Sequence, residues 1–204
     1  HPEGLMTYPD EATIIRDLEQ ARDAGFNLVR LHIKPEEPLV PHHCDRLGLL
    51  VDDDMVNLGD FPIYAGDSPE GRRRWEETME AQVRRDRSHP SVIWWTLFNE
   101  TWGLVELARP YDAESQDWVL AMMDAVGALD ADALLEDMSP RENGLEHVET
   151  ELVTWHFYQS AWQAVVDLLD VASAGAFDGS EHFFVEGHAQ QGNLPLLNTE
   201  FGPY

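Results

Sequence analysis

The sequence predicts an α/β fold in which parallel strands alternate with helices, on the pattern of a (β/α)8 barrel. Three observations carry this. Six short apolar stretches alternate with helical ones, which is the order of βα units forming a parallel sheet under helical cover. The stretch Val92-Ile93-Trp94-Trp95-Thr96-Leu97 is apolar at nearly every position rather than at every second one, as suits a strand buried on both faces. The strands then turn polar at their C-terminal ends, where a barrel of this kind carries its reactive side chains.

The elements follow in order. Asp10 is a good N-cap for a helix over 11–24, whose Ile14, Ile15, Leu18 and Ala21 recur at helical spacing, and Gly25 ends it. Asn27 to His32 reads as the first strand, and a proline-fixed loop (Lys34 to Pro38) leads to a short helix over 40–47 that stops at Gly48. Leu49 to Asp54 is the second strand, apolar and then abruptly acidic. A long loop through Gly59, Pro62 and Gly66 precedes a helix over 69–88. Pro90 keeps His89 out of helical φ/ψ and opens the third strand, 92–97. A helix starting at Asp112 or Ser115 runs to Leu129. Strands follow at 134–137 and 152–157, then a helix over 161–172, then a strand from Leu196 to Thr199 that ends in Glu200-Phe201-Gly202. No strand is followed by a glycine-rich phosphate-binding turn, which removes the commonest nucleotide-binding reading of an α/β chain. There is no internal repeat and no low-complexity linker, so residues 1–204 are read as a single domain.

Composition narrows the partners. The 204 residues carry 39 acidic and 13 basic side chains, a formal net charge of −26, with Lys34 the only lysine. Such a chain lacks the basic face that nucleic acid or an anionic membrane requires. Abundant acid with almost no lysine suits a high-salt cytoplasm, or simply an arginine-favouring genome and an acidic solvated surface. Seven Trp, eight Phe and five Tyr can fill a core, and aromatics also floor sugar-binding clefts. The single Cys44 excludes an internal disulfide. His42-His43-Cys44 lacks the paired spacing of a zinc site, so no metal and no cofactor is expected. No apolar run reaches the ~18 residues of a membrane span. Compartment and oligomeric state stay open.

The polar strand ends define the candidate site. Arg30 and His32 end the first strand, Asp54 the second, Asn99 and Glu100 the third, Asp137 the fourth, His156 and Tyr158 the fifth, and Glu200 the sixth. Parallel strands bring all of these to one end of the sheet. Two carboxylates there, Glu100 and Glu200, come from well-separated strands and would face each other across a barrel mouth. Glycoside hydrolysis needs such a pair, one to protonate the leaving oxygen and one to attack the anomeric carbon or activate water. Each residue also has a structural alternative. Glu100 would cap a helix or pair with an arginine, His156 beside Trp155 would be a satisfied core histidine, and Tyr158 would simply pack. Asp54 would be a surface charge, although its buried strand favours a substrate or network carboxylate. Trp102 and Trp155 would stack on sugar or fill the core.

Four segments carry a resemblance. AGFNLVRLH (24–32), DRLGLLVDDD (45–54), RDRSHPSVIWWTLFNE (85–100) and NTEFG (198–202) resemble, in order, motifs of the catalytic (β/α)8 TIM-barrel domain of glycoside hydrolase family 2, the group of β-galactosidases, β-glucuronidases and β-mannosidases. The resemblance implies a retaining β-glycosidase acting on a carbohydrate substrate. It implies Glu100 as general acid/base, Glu200 as nucleophile, Asn99 on the sugar 2-hydroxyl, and Arg30 beneath the nucleophile. Departures exist. LHIKPEEP replaces a Ser-His-Tyr-Pro-type loop, Asp53-Asp54 stands where Asp-Glu is usual, and WHFY differs from the better-known sequences. The sugar is therefore left open. With six strands visible, the chain is expected to be an incomplete barrel lacking the first and last strands. As an isolated piece it would be unstable and inactive, and a carbohydrate-binding barrel without turnover is the alternative function.

Overall fold

A computed structural model describes residues 7–59, 67–105, 111–141 and 144–202. The elements run α1 (Glu11–Asp23), β1 (Leu28–Leu31), α2 (Leu39–Leu47), β2 (Leu50–Asp54), α3 (Pro69–Asp86), β3 (Val92–Thr96), α4 (Ala113–Leu129), β4 (Leu134–Glu136), β5 (Val153–Phe157), α5 (Trp162–Gly175) and β6 (Leu196–Phe201). β1, β2, β3 and β4 form one sheet in that order, and β5 pairs with β6. Every pairing is parallel. The chain thus forms part of a (β/α)8 barrel, with its strand C-termini at one end. No helix among the described residues is long and apolar enough to cross a membrane.

Local chemistry sets the boundaries. Asp10, Ser68 and Asp112 each accept a backbone N–H at the N-terminus of α1, α3 and α4. Helix α1 stops one residue before the expected end, with Ala24 as C-cap and Gly25 following at φ +95°. Helix α3 stops at Asp86 rather than Ser88, where Pro90 approaches, and α5 runs three residues past Ala172. Pro62 and Gly66 of the expected long loop lie outside the described residues, as do 106–110.

Strands β3 and β5 are buried on both sides, while β1, β4 and β6 are only partly covered. Along β3, Trp94 turns into the barrel and bonds the Thr96 hydroxyl at 2.7 Å, while Trp95 turns outward and bonds Asp130 below α4 at 3.0 Å. Both are buried. The main apolar core lies between this sheet and helices α1–α4, with Val51, Met79, Val83, Leu97, Val119 and Val126 at its centre. A second, smaller core joins β5 and β6 to α5 and to Phe183 and Phe184. The two are joined at the loop after β4, where the His156 N–H donates to the Pro140 carbonyl (3.1 Å).

The segment after β3 is anchored by aromatics. Phe98 stacks on Trp75 of α3 at 4.6 Å and leans on Trp118 of α4 at 5.4 Å, while the two tryptophans meet edge-on at 5.3 Å. Each such contact contributes about 0.5–1.5 kcal/mol beyond its area burial. Gly103 closes the segment at φ +88°, and a Cβ added there would lie 2.3 Å from the Gly59 backbone nitrogen. Gly103→Ala should therefore destabilise the intact protein by about 2 kcal/mol or more. Gly25→Ala, also at positive φ but with nothing within 4 Å, should cost only about 1 kcal/mol. Denaturant midpoints of the two variants check this; equal losses would contradict it.

Candidate active site

Arg30 is the centre of the site. It projects from β1 with its side chain 10% exposed and divides its donors among three other strands or strand ends. Nε donates to Asp54 Oδ1 at 3.0 Å, Nη2 to Asn99 Oδ1 at 2.9 Å, and Nη1 to Glu200 Oε1 at 2.8 Å. Nη2 also lies 2.8 Å from Asp54 Oδ2. Burial works against its charge, but Asp54, Asp52 and Glu136 outweigh this and raise its pKa further. It is a permanent cation here.

Glu200 sits at the meeting point of four side chains. Besides Arg30, the Tyr158 hydroxyl donates to its Oε2, His32 Nδ1 lies 3.6 Å from its Oε1, and His156 Nε2 lies 3.7 Å from the same oxygen. Burial by itself would raise the carboxyl pKa. His156, the Tyr158 hydroxyl, Arg30 and His32 reverse that and hold it below the usual carboxylate range. Glu200 is therefore held ionised.

Glu100 follows Asn99 with its backbone in the left-handed region (φ +53°), as does Thr101 (φ +56°). Such a conformation costs about 1–3 kcal/mol per residue and persists only where its surroundings over-determine it. Here the Glu100 N–H donates to the Ser139 carbonyl (2.9 Å) and the Asn99 N–H to Asn57 Oδ1 (3.2 Å). The kink brings Glu100 Oε1 to 2.7 Å from His156 Nδ1. His156 is fully buried, and its Nε2 lies 2.9 Å from Ser139 Oγ, which in turn meets Thr199 Oγ1 at 2.7 Å.

The structure thus brings together Arg30, His32, Asp54, Asn99, Glu100, His156, Tyr158 and Glu200. Asp54 is a network carboxylate that holds Arg30 and His32 (3.2 Å). Trp102 is half-buried one turn beyond Asn99, its backbone N–H donating to the Asn99 backbone carbonyl (3.0 Å). Trp155 faces Phe157 and Phe183 in the smaller core, away from a stacking role. Asp137 also points elsewhere, 2.7 Å from the buried His147. Sequence reasoning missed Ser139 and Thr199. Thr199 had a signal in its place beside Glu200; Ser139, in the loop after β4, had none.

One possible ligand atom from each of Glu100, His156 and Glu200 lies within 4.8 Å of the others, the only such grouping among the described residues. The Arg30 guanidinium already places a fixed positive charge against Glu200, which competes with a cation there. The arrangement is one of two carboxylates in different surroundings at one barrel mouth, Glu100 beside His156 and Glu200 beside Arg30 and Tyr158.

Fold and site together describe part of a (β/α)8 barrel with a carboxylate pair at the C-terminal ends of its strands. Residues 8–163 match the family model "Glycosyl hydrolases family 2, TIM barrel domain", and the chain belongs to that family. It is 39% identical over 104 residues to beta-galactosidase 2 of Enterobacter cloacae and 38% identical over 104 residues to a beta-galactosidase of Vibrio cholerae. Each match covers 50% of this chain and 10% of the relative, so the matched segment spans about a tenth of the relatives' length. The fold is similar to a beta-D-glucuronidase of Dictyoglomus thermophilum (TM-score 0.70, 17% identity, 95% of this chain and 33% of that one). It is also similar to a beta-galacturonidase of Eisenbergiella tayi (TM-score 0.65, 18% identity, 94% and 32%).

Glu200 yields a pH prediction. Its folded pKa is depressed, so the stability it contributes is present above its unfolded value and is lost as pH falls through the folded one. Tyr158→Phe removes one of the lowering contacts. In the full-length protein the acidic limb of the pH–activity profile should move to higher pH, and the stability lost on acidification should be smaller, because the folded pKa of Glu200 then lies closer to its unfolded value. Profiles of kcat/KM and of melting temperature against pH check this; an unmoved or downward-shifted limb would contradict it.

Proposed function

We propose that this domain is the catalytic core of a retaining β-glycosidase, with Glu200 as nucleophile and Glu100 as general acid/base. The observation that carries the reading is the carboxylate pair itself. An oxygen of Glu100 and one of Glu200 lie within 4.8 Å. Retaining enzymes place their carboxyl groups about 5–5.5 Å apart, and inverting ones about 6.5–9.5 Å apart to admit a water. The environments also differ as the roles require. Glu200 is held ionised by Arg30 and Tyr158, while Glu100 has His156 as its close polar partner.

In the first half of the reaction Glu200 attacks the anomeric carbon as the bond to the leaving oxygen breaks, and Glu100 gives that oxygen its proton. In the second half Glu100 takes a proton from water, the water oxygen attacks the anomeric carbon, and Glu200 departs as carboxylate. Asn99 has its carbonyl oxygen engaged by Arg30, which leaves its amide nitrogen as the group to offer a sugar 2-hydroxyl. His32 and Trp102 are the further substrate contacts of this reading.

Two variants of the full-length protein test it. Glu200→Ala should abolish turnover of aryl glycosides, and added azide should restore it by forming a glycosyl azide of inverted configuration. Full activity in the variant would end the assignment. Glu100→Ala should slow glycosides with alkyl leaving groups by about 10²–10⁴-fold while sparing glycosylation from dinitrophenyl glycosides, which leave without help. Equal losses on both substrates would make Glu100 a structural residue.

A further inference from the structure

Below the site, the barrel interior holds polar side chains that the proposed reaction does not use. Thr96 of β3 is the hub. Its Oγ1 lies 2.7 Å from Trp94 Nε1, 2.8 Å from Asp52 Oδ1 and 2.6 Å from Glu136 Oε2. An indole N–H can only donate, so it occupies one lone pair of the hydroxyl. The hydroxyl has a single hydrogen of its own and cannot give it to two carboxylates. One of the two carboxyl oxygens must therefore bring a hydrogen to the contact.

The surroundings say which. Glu136 has a hydroxyl against each oxygen, Thr96 on Oε2 and Thr154 of β5 on Oε1, as an ionised carboxylate requires. Asp52 has Thr96 on Oδ1, but its Oδ2 is buried without a hydrogen-bond partner. The nearest cation, Arg30 Nε, stands 3.5 Å from that oxygen and already donates to Asp54. An unpartnered oxygen is far less costly on a neutral acid than on a carboxylate. Asp52 and Glu136 are both fully buried.

We propose that the barrel floor stores one proton on Asp52 and shares it with Glu136 through the Thr96 hydroxyl, so that the guanidinium of Arg30 serves Glu200 and Asp54 instead of being drawn inward. The chain of donors runs Asp52 Oδ1–H to Thr96, then Thr96 Oγ1–H to Glu136. Asp52 is in this sense a positioning residue acting through Arg30. The charged groups around the pair agree with the assignment. Arg30 enters from β1, Asp54 from β2, and His147 from the loop between β4 and β5, beside Glu136. Burial, and then the neighbouring charge of Asp54, push the Asp52 carboxyl well above the usual range against the pull of Arg30. Burial raises Glu136 too, opposed by Arg30 and by both threonine hydroxyls.

Infrared spectroscopy reads the proton directly. In the full-length protein, isotope-labelled in its aspartate carboxyl carbons, a labelled carboxylic-acid band should be present at neutral pH and should be lost in Asp52→Asn. Asp53, another deeply buried aspartate, accepts from Gln82 on the opposite side of β2, and any band it gives should be untouched. If Asp52→Asn does not fold, Thr96→Val should shift the Asp52 band, because it deletes the acceptor of the acid hydrogen. This arm does not depend on the glycosidase reading and stands or falls apart from it. A kinetic arm, which does rest on that reading, tests the positioning role. Glu136→Gln removes a real negative charge near Arg30 and should move the acidic limb of kcat/KM to lower pH, whereas Asp52→Asn removes none and should leave the limb in place. The proposal is overturned by absence of a protonated aspartate at neutral pH. It is equally overturned by a spectrum that neither variant alters, or by an Asp52→Asn limb that moves as far down as that of Glu136→Gln.

Discussion

The contacts of Arg30 hold this structure and its site together. β1 and β6 are at the edges of two separate sheets, and the guanidinium joins them by reaching Glu200. It also fixes the ends of β2 and β3 through Asp54 and Asn99. Removing one partner of a buried charge pair typically costs about 3–5 kcal/mol, because the remaining charge is left uncompensated. That is a large share of the ~5–15 kcal/mol by which a domain is stable. A lysine would not substitute, since one ammonium cannot present a planar fork to three acceptors in different directions. The same bonds that join the strands hold Glu200 as a carboxylate, so folding and site chemistry rest on one side chain.

The position of Glu100 depends on a different kind of constraint. Its backbone is strained, and the strain is held from both sides. Below it, Phe98 is locked between Trp75 and Trp118, which ties the end of β3 to α3 and α4. Beside it, the Asn99–Ser139 bridge and the Glu100 N–H bond join the same segment to the loop after β4. An apolar clamp and a backbone clamp thus converge on two residues, and the carboxylate is carried toward His156 rather than into the helix-capping position that its sequence context also allowed.

The acidic composition gains a more specific meaning. Solvated surface or a high-salt habitat would account for exposed acids. However, Asp52, Asp53, Asp54, Asp86, Glu136, Asp137 and Glu146 are all buried. Several of them meet arginine or histidine directly: Asp54 with Arg30, Asp86 with Arg85, Asp137 with His147, and Glu146 with Arg141. Part of the negative charge is therefore internal wiring of the barrel, where an acid must be paired, hydrogen-bonded or protonated.

Much of the fold was legible in the sequence, for reasons of local physics. The unbroken apolar run at 92–97, the caps Asp10 and Asp112, and the glycines after α1 and α2 act over a few residues, so each strand and helix could be placed within a turn. The polar strand ends likewise marked Arg30, Asn99, Glu100, His156, Tyr158 and Glu200, because parallel strands put their C-termini at one end whatever the register. Beyond Arg30 beneath Glu200, which the family resemblance implied, partnership was not legible. That Arg30 would also take Asp54 and Asn99, that Ser139 would reach His156 from a loop, that Asp137 and Trp155 would turn away, and that Thr96 would lie between Asp52 and Glu136 were decided by the tertiary structure alone. These contacts join residues 17 to 170 positions apart, and their geometry depends on strand register and side-chain direction, which no short stretch of sequence contains.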